Sequence, residues 1–240
     1  MMWLVGGGFV SSFISGITGM AGGTLLLSIL LISYDPSTSI ALHGLLQVFS
    51  NLSRVFLFIK SVSWKHVGLF SLLAIPGAIL GAKLSVFFSP VLLKALLGIV
   101  LLYEALKRPK KTEEKAPPSS EKIFVSLGFV SGFLGMIIGA TGPLLAPFFL
   151  GAGLVKERFV ATKALCQFLV QIIKVILFAA LLHFDYTQHS TEIILITIAI
   201  FLGTAAAKVS LSYVSEKIFV IVLKTILFVL GTKMLLSGLL

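Results

Sequence analysis

Polar side chains recur at one helical spacing in two apolar stretches of the chain. In order, these residues are His43, Gln47, Asn51, Arg54, Lys163, Gln167, Gln171 and Lys174. Steps of four, four and three residues place each set along one face of a helix. Ionisable side chains inside a membrane span are costly, so they face a cavity or the interior of a helix bundle. Basic heads beside amides suit an anion, although a structural role for these polar stripes stays open.

Two glycine-rich stretches, at 19–24 and 139–143, interrupt the apolar sequence at corresponding places. Such breaks predict discontinuous helices, which point to the substrate site of a transporter. A helix that begins at a break aims unpaired N–H groups and its positive dipole end inward, which favours an anion. The residues that we expect to contribute are Gly22, Gly23, Thr24, Thr141, Gly142 and Pro143. Alternatively, the glycines serve only close helix packing.

The composition indicates a membrane protein. Of 240 residues, 58% are hydrophobic and 12% are charged, which is more apolar surface than a soluble domain can hide. The net charge of +10 does not indicate a nucleic-acid partner, because many basic residues lie in loops between apolar runs, where they set topology. Cys166 is the only cysteine, which excludes an intrachain disulfide. Without nucleotide-binding, zinc-protease or nucleophile motifs, we expect no cofactor, no metal and no enzymatic activity.

Eight apolar stretches of roughly 20 residues could cross a bilayer. They are, approximately, Trp3–Ser33, Ser37–Ile59, His66–Phe88, Pro90–Leu106, Ile123–Leu150, Glu157–His183, Thr191–Tyr213 and Glu216–Leu239. These stretches predict an all-α polytopic membrane protein in which the first helix of each half is broken at its glycines.

The two halves match at a fixed offset of 120 residues. Residues 8–11 (GFVS) recur as residues 128–131, and the two polar stripes correspond position for position. Matched glycines and a matched glutamine at one offset predict a duplication. We therefore divide the chain into a first four-span repeat at 1–106, a linker at 107–121 and a second four-span repeat at 122–240.

The linker sets the expected orientation. It carries lysines, Arg108 and prolines, which places it in the cytoplasm by the positive-inside rule, and Lys60 and Lys65 agree with that side. Eight simple spans then put both termini in the cytoplasm and make the repeats parallel. A re-entrant hairpin at a glycine break would change the parity and allow inverted repeats, and the sequence leaves both arrangements open.

The residues above give the chain a family resemblance. It resembles the sulfite exporter TauE/SafE family, also called the 4-toluene sulfonate uptake permeases, over nearly its whole length. Ala161-Thr162 followed by Gln171 and Lys174 is similar to the family's Ala-Thr … Asn-x-x-Lys pattern, and residues 51–54 (NLSR) stand at the equivalent place in the first half. The resemblance adds Thr162 to the expected site.

Three positions depart from the family pattern. Gln171 stands where asparagine is common and Arg54 where lysine is common, which keeps the amide and the charge. Gly142-Pro143 replaces a usual Gly-Gly pair, which affects the backbone of the second break.

The resemblance implies transport of sulfur-containing anions such as sulfite, thiosulfate or organosulfonates across the cytoplasmic membrane. We therefore expect a secondary transporter that works by alternating access around a site between the repeats. A passive anion channel is one alternative, and a membrane-embedded enzyme or assembly factor is another. The expected partners are a small anion and the lipid bilayer. The particular anion, the direction of transport, the coupling ion and a homo-oligomeric state stay open.

Overall fold

The computed structural model describes residues 2–18, 22–85, 87–106, 120–154 and 156–210, with short helical pieces between 224 and 236. The helices are α1 (Met2–Thr18), α2 (Gly22–Ser33), α3 (Pro36–Phe58), α4 (Trp64–Ser85), α5 (Pro90–Leu106), α6 (Ile123–Ile137), α7 (Gly142–Gly151), α8 (Lys156–Leu181) and α9 (Ser190–Ser210). No strand occurs within these ranges. The all-α class is therefore confirmed. Most of the linker and the eighth expected span lie outside the described residues.

Local capping signals begin several of these helices. The Asp35 carboxylate accepts hydrogen bonds from the N–H groups of Ser37 and Thr38, which would otherwise lack partners in the first turn of α3. The Ser89 hydroxyl accepts from the Leu92 N–H at the start of α5. These helices begin where the sequence supplies a cap and a proline at the first helical position.

The first apolar run folds back on itself. Gly22, at the start of α2, packs against Ser11 and Ser15 near the end of α1. Gly7, near the start of α1, packs against Ile29 near the end of α2. The two helices are therefore antiparallel, and we call this pair hairpin 1. The structure thus corrects the expectation of one broken span, because a glycine-rich turn permits a reversal as readily as a kink.

The second apolar run reverses in the same way, as hairpin 2 (α6 and α7). The ring of Phe124, at the start of α6, meets the ring of Phe149, late in α7, at 4.9 Å between centroids. Between the helices, Gly139 adopts a left-handed φ of 79°, a conformation that disfavours other residues. The break was expected at these glycines, but the direction of the chain after it was not.

Four helical segments are long and apolar enough to cross a membrane among the described residues: Pro36–Ser61, Trp64–Ser85, Glu157–Leu181 and Tyr186–Ala207. The helices of the hairpins and α5 are shorter. Eight full-length spans are therefore not what the described chain contains, because each glycine break divides one long apolar run into two short helices.

Antiparallel α3 and α8 form the centre of the bundle. Gly44, early in α3, packs against the side chain of Lys174, late in α8, and the Ser63 N–H beyond α3 donates to the Thr162 hydroxyl early in α8. Hairpin helices close the bundle through parallel pairs, α1 with α9 and α4 with α6. Gly77 and Gly203 meet the Phe129 and Phe9 carbonyls in these pairs. Small residues thus allow close helix contact at these positions.

The bundle has two distinct ends. At the tyrosine end, the Tyr34 ring meets the His189 ring at 5.4 Å between centroids. At the lysine end, Lys65 pairs with Glu121 and the Ser61 hydroxyl donates to Glu157. A hydrogen bond from Lys65 lowers the pKa of the exposed Glu121 carboxyl. The helices between these ends expose large apolar side chains, Leu72 and Ile75 on α4 among them, which fits a lipid-facing surface.

Candidate functional site

A small central cavity lies where the two hairpin tips meet α3 and α8. Its lining residues are Ser15, Gly23, Thr24, His43, Gln47, Arg54, Ala140, Thr141, Gly142, Gln167 and Gln171. Its volume, traced by the centre of a water-sized sphere, is about 10 Å³. That is roughly the room that one water needs. In this conformation the cavity therefore has less room than a three-oxygen anion needs.

Each hairpin brings a helix start against a glutamine of the polar stripe in its own half of the chain. A Cβ on Gly23 would come within 3.4 Å of the Gln47 Nε2 atom, and a Cβ on Gly142 within 3.0 Å of the Gln167 Nε2 atom. Because neither glycine has a side chain, the amides of Gln47 and Gln167 pack directly against the backbone at these positions. Hydrogen-bond donors from α2, α3, α7 and α8 thus converge on one point, as a site for an anion requires.

Arg54 is the cation on the cavity wall. Arg54 is only 3% exposed, and its side chain donates within its own helix to the Ser50 carbonyl and hydroxyl and to the Asn51 Oδ1 atom, at 2.8–3.2 Å. Among the described residues, no carboxylate pairs with it. A buried cation without a counter-charge is costly unless an anion compensates it.

Lys174 lies beside the cavity rather than on its lining. Its side chain is fully buried, packs against Gly44 and donates from Nζ to the Gly139 carbonyl at 2.9 Å. Lys163 is also buried, with its ammonium 5.6 Å from the centre of the Phe159 ring and close to Gly142. All eleven lining residues lack a carboxylate, so the buried charge around the cavity is positive.

Four lining side chains hold a buried polar atom that has no hydrogen-bond partner among the described residues. These atoms are Ser15 Oγ, Thr24 Oγ1, His43 Nδ1 and Gln171 Oε1. Buried polar atoms are normally paired, and leaving one unpaired costs about 1–3 kcal/mol. Their concentration at one small cavity indicates a place for a polar ligand.

The expected site residues divide into two groups. Nine line the cavity: Gly23, Thr24, His43, Gln47, Arg54, Thr141, Gly142, Gln167 and Gln171. Gly22 packs against α1, Asn51 accepts from Arg54, and Pro143 lies in the first turn of α7. Thr162 is placed apart from the cavity lining, where its hydroxyl accepts from the Ser63 N–H at 2.9 Å.

Two lining residues were not among the expected site residues. Ser15 and Ala140 line the cavity but stand outside the polar stripes. A serine in an apolar helix more often bonds to its own backbone, and Ser11, one turn earlier, does so by donating to the Gly8 carbonyl. Only the fold-back of hairpin 1 brings Ser15 to the cavity, so no local pattern distinguishes it from Ser11.

The profile of the sulfite exporter TauE/SafE family matches residues 4–234. The chain belongs to the sulfite exporter TauE/SafE family. No curated protein and no solved structure matches the chain. Membership in the TauE/SafE family, together with the apolar helices, identifies a multi-pass membrane transporter. The family suggests sulfite-type anions as the class of cargo, which agrees with the positive charge around the cavity.

Proposed function

We propose that this TauE/SafE protein is a secondary transporter that carries a small sulfur-containing anion, such as sulfite, thiosulfate or an organosulfonate, across the cell membrane. The observation that carries the proposal is Arg54, a buried cation without a carboxylate partner in the described chain, on a cavity with four unpaired polar atoms. An oxyanion would neutralise this charge and accept from the neighbouring hydroxyl, amide and backbone donors.

The nine lining residues of the expected set form the proposed binding site. Arg54 supplies charge, Gln47 and Gln167 supply amide donors, and the starts of α2 and α7 supply backbone N–H groups. Asn51 and Lys174 are proposed to position the site, the first by holding Arg54 and the second by holding the tip of hairpin 2. Charge-assisted hydrogen bonds of this kind contribute about 1.5–3 kcal/mol each.

The small size of the cavity supports alternating access. An anion larger than water does not fit in this volume, so we propose that a hairpin tip moves when the anion enters. A second cavity of about 270 Å³ lies at the tyrosine end, lined by Ser37, Ile40, Ser85, Phe88, Leu93, Met136, Phe178 and Leu182. A Cβ on Gly139 would come within 3.2 Å of Ile40, a lining residue of this cavity, whereas the neighbouring Ala140 lines the central one, so the tip of hairpin 2 is adjacent to both. We propose that this tip is the gate at the tyrosine end.

Inverted repeats imply a corresponding movement on the opposite side of the central cavity. Under the offset of 120 residues, α3 corresponds to α8, and these helices are antiparallel. The contact of Gly203 with Phe9 resembles that of Gly77 with Phe129, and Phe9 becomes Phe129 under the same offset, although the two glycines are 126 residues apart. These pairings support two repeats of opposite orientation, each a hairpin followed by spanning helices, related around the central cavity.

The charges at the two ends support an orientation. The lysine end carries four basic residues, Lys60, Lys65, Lys122 and Arg158, beside Glu121 and Glu157, whereas the tyrosine end carries Lys83 beside Asp35, Asp185 and Glu192. The positive-inside rule then assigns the lysine end to the cytoplasm. Since Gly8 of α1 packs against Ile196 early in α9, the start of α1 lies at the tyrosine end. We therefore propose an N-terminus outside the cytoplasm, in place of the expectation from eight simple spans.

Flux into liposomes that contain the purified protein tests the proposal. We expect uptake of radiolabelled sulfite or thiosulfate to saturate, and Arg54→Gln to weaken apparent affinity about 10-fold or more, the equivalent of one charge-assisted hydrogen bond. Lys65→Gln, an exposed cation at the lysine end, is the matched control and should transport normally. Uptake that rises linearly without saturation would indicate a channel, and normal uptake by Arg54→Gln would remove the proposed site.

A further inference from the structure

We propose that His43 couples anion binding in the central cavity to the uptake of one proton on its Nδ1 atom. The inference rests on the proposed transport function and names the coupling ion of the same cavity. The inference has three requirements. The tautomer of His43 must leave Nδ1 able to accept a proton, Nδ1 must be buried at the cavity without another partner, and the surrounding charge must favour the proton only when an anion is present. Each requirement is met by a separate observation.

The hydrogen bond of the ring fixes the tautomer. The Nε2 atom of His43 lies 3.0 Å from the carbonyl oxygen of Gly23. A carbonyl oxygen only accepts, so Nε2 carries the hydrogen. A neutral imidazole has one N–H group, and Nδ1 therefore holds a lone pair. His43 is thus hydrogen-bonded through Nε2 to Gly23 at the start of α2, and its Nδ1 atom can take up a proton.

The Nδ1 atom is buried and has no partner among the described residues. His43 lines the cavity and is 1% exposed. An oxyanion presents lone pairs, so the neutral ring offers it no donor from Nδ1. A protonated ring offers an N–H group and a positive charge. The anion and the proton therefore stabilise each other in the cavity, which is a reciprocal coupling between two ligands.

The other charges around His43 disfavour protonation of its ring when the cavity is empty. Lys174 approaches from α8, where its side chain packs against Gly44, the next residue after His43. Arg54 lies on the same cavity from α3, and Lys163 lies across it beside Gly142. Helices α1, α2 and α7 contribute no charged side chain, and no carboxylate lines the cavity. A proton on His43 would add to this positive charge, which an anion offsets.

Transport then moves the two ions together. The proton enters from the solvent on the side to which the cavity is open, binds Nδ1 with the anion, and leaves to the solvent on the opposite side when the anion leaves. The ring returns to its neutral tautomer with Nε2 still donating to Gly23. A pH gradient therefore drives the anion in the same direction as the proton.

Thiosulfate is the suitable probe, because it keeps its charge near neutral pH whereas sulfite itself takes up a proton there. Calorimetric titration of the wild-type protein in buffers of unequal ionisation enthalpy counts the protons taken up per bound anion. We expect the count to approach one, and thiosulfate flux in liposomes to accelerate when the side of entry is acidified. Binding and flux without proton uptake would overturn the coupling and leave the transport proposal intact. Absence of both binding and flux would overturn both proposals.

Two variants assign the proton to its residue. His43→Gln replaces the imidazole by an amide that does not titrate and can still donate to Gly23. We expect weaker thiosulfate binding that takes up no proton, and flux that no longer responds to a pH gradient. His66→Gln is the matched control, since His66 is buried at the start of α4, bonds through Nδ1 to the Ser63 hydroxyl at 2.7 Å and does not line the cavity. Loss of proton uptake in His66→Gln, or its persistence in His43→Gln, would refute the assignment. The wild-type proton count decides the coupling even if a variant fails to fold.

Discussion

The Nζ atom of Lys174 donates a 2.9 Å hydrogen bond to the carbonyl oxygen of Gly139, the residue whose φ of 79° lies at the reversal of hairpin 2. This bond joins a fully buried cation on α8 to the tip of hairpin 2, whose Ala140 lines the central cavity. Lys174 therefore has a different position from Arg54, its counterpart at the offset of 120 residues, which lines the central cavity. Replacing Lys174 should therefore affect the protein differently from replacing Arg54.

Lys174→Met should reduce both stability and anion affinity. The substitution keeps an unbranched apolar chain against Gly44 but leaves the Gly139 carbonyl without its donor, which costs about 1–3 kcal/mol. Thermal unfolding and thiosulfate titration measure the two effects. A variant that binds more weakly but unfolds at the wild-type temperature would show that Lys174 contacts the anion directly and does not hold the tip.

Gly139→Ala should weaken anion binding through the shape of the tip. A left-handed φ costs a residue with a side chain about 1–2 kcal/mol. Gly153→Ala is a matched control, because Gly153 has a φ of 76° but its Cβ would meet nothing within 4 Å. Gly139→Ala should lose more stability than Gly153→Ala, because its Cβ would also come within 3.0 Å of the Leu27 side chain, and only Gly139→Ala should change thiosulfate affinity. Equal affinity in the two variants would contradict a role for the tip of hairpin 2.

Thr162→Val should destabilise the protein and leave its binding site intact. The change removes the hydroxyl that accepts from the Ser63 N–H, at a cost of about 1–3 kcal/mol for the unpaired donor. Denaturant or thermal unfolding should register this loss, while thiosulfate affinity of the folded protein stays at the wild-type value. A clear loss of affinity at unchanged stability would restore Thr162 to the binding site.

Single cysteines test the orientation of the repeats. Cys166 is the only cysteine, so Cys166→Ala gives a background without thiols. Met2→Cys and Trp64→Cys then place one exposed thiol at each end of the bundle. A membrane-impermeant maleimide applied to intact cells should label position 2, and should label position 64 only after permeabilisation. Protection of both positions in intact cells would favour eight simple spans with a cytoplasmic N-terminus.

Much of the proposed site was predictable from the sequence because its residues are unusual for their surroundings. Gln47, Arg54 and Gln167 are costly inside an apolar helix, and they line the cavity as that cost predicts. The helix breaks were predictable for the same reason, because clustered glycines are unusual within an apolar helix. The helices α2 and α7 indeed begin at Gly22 and Gly142.

The course of the chain after each break was not predictable in this way. Hydropathy is the same whether a run crosses the membrane once or enters and returns, and Gly22 packs as closely in a reversal as in a kink. The reversal also decides which small polar residues reach the cavity. It brings Ser15 onto the lining, whereas Thr162 is placed apart from it by the contact between α8 and the segment after α3.

The most direct test is to locate the bound anion. Selenite has the charge and pyramidal shape of sulfite, and selenium gives an anomalous X-ray signal. In crystals of the protein grown with selenite, we expect one dominant anomalous peak between Gly23 and Gly142, within hydrogen-bond distance of Arg54 and with the hairpin tips moved apart to admit it. A dominant peak at either end of the bundle or in the cavity at the tyrosine end, with none between the hairpins, would contradict the proposed site.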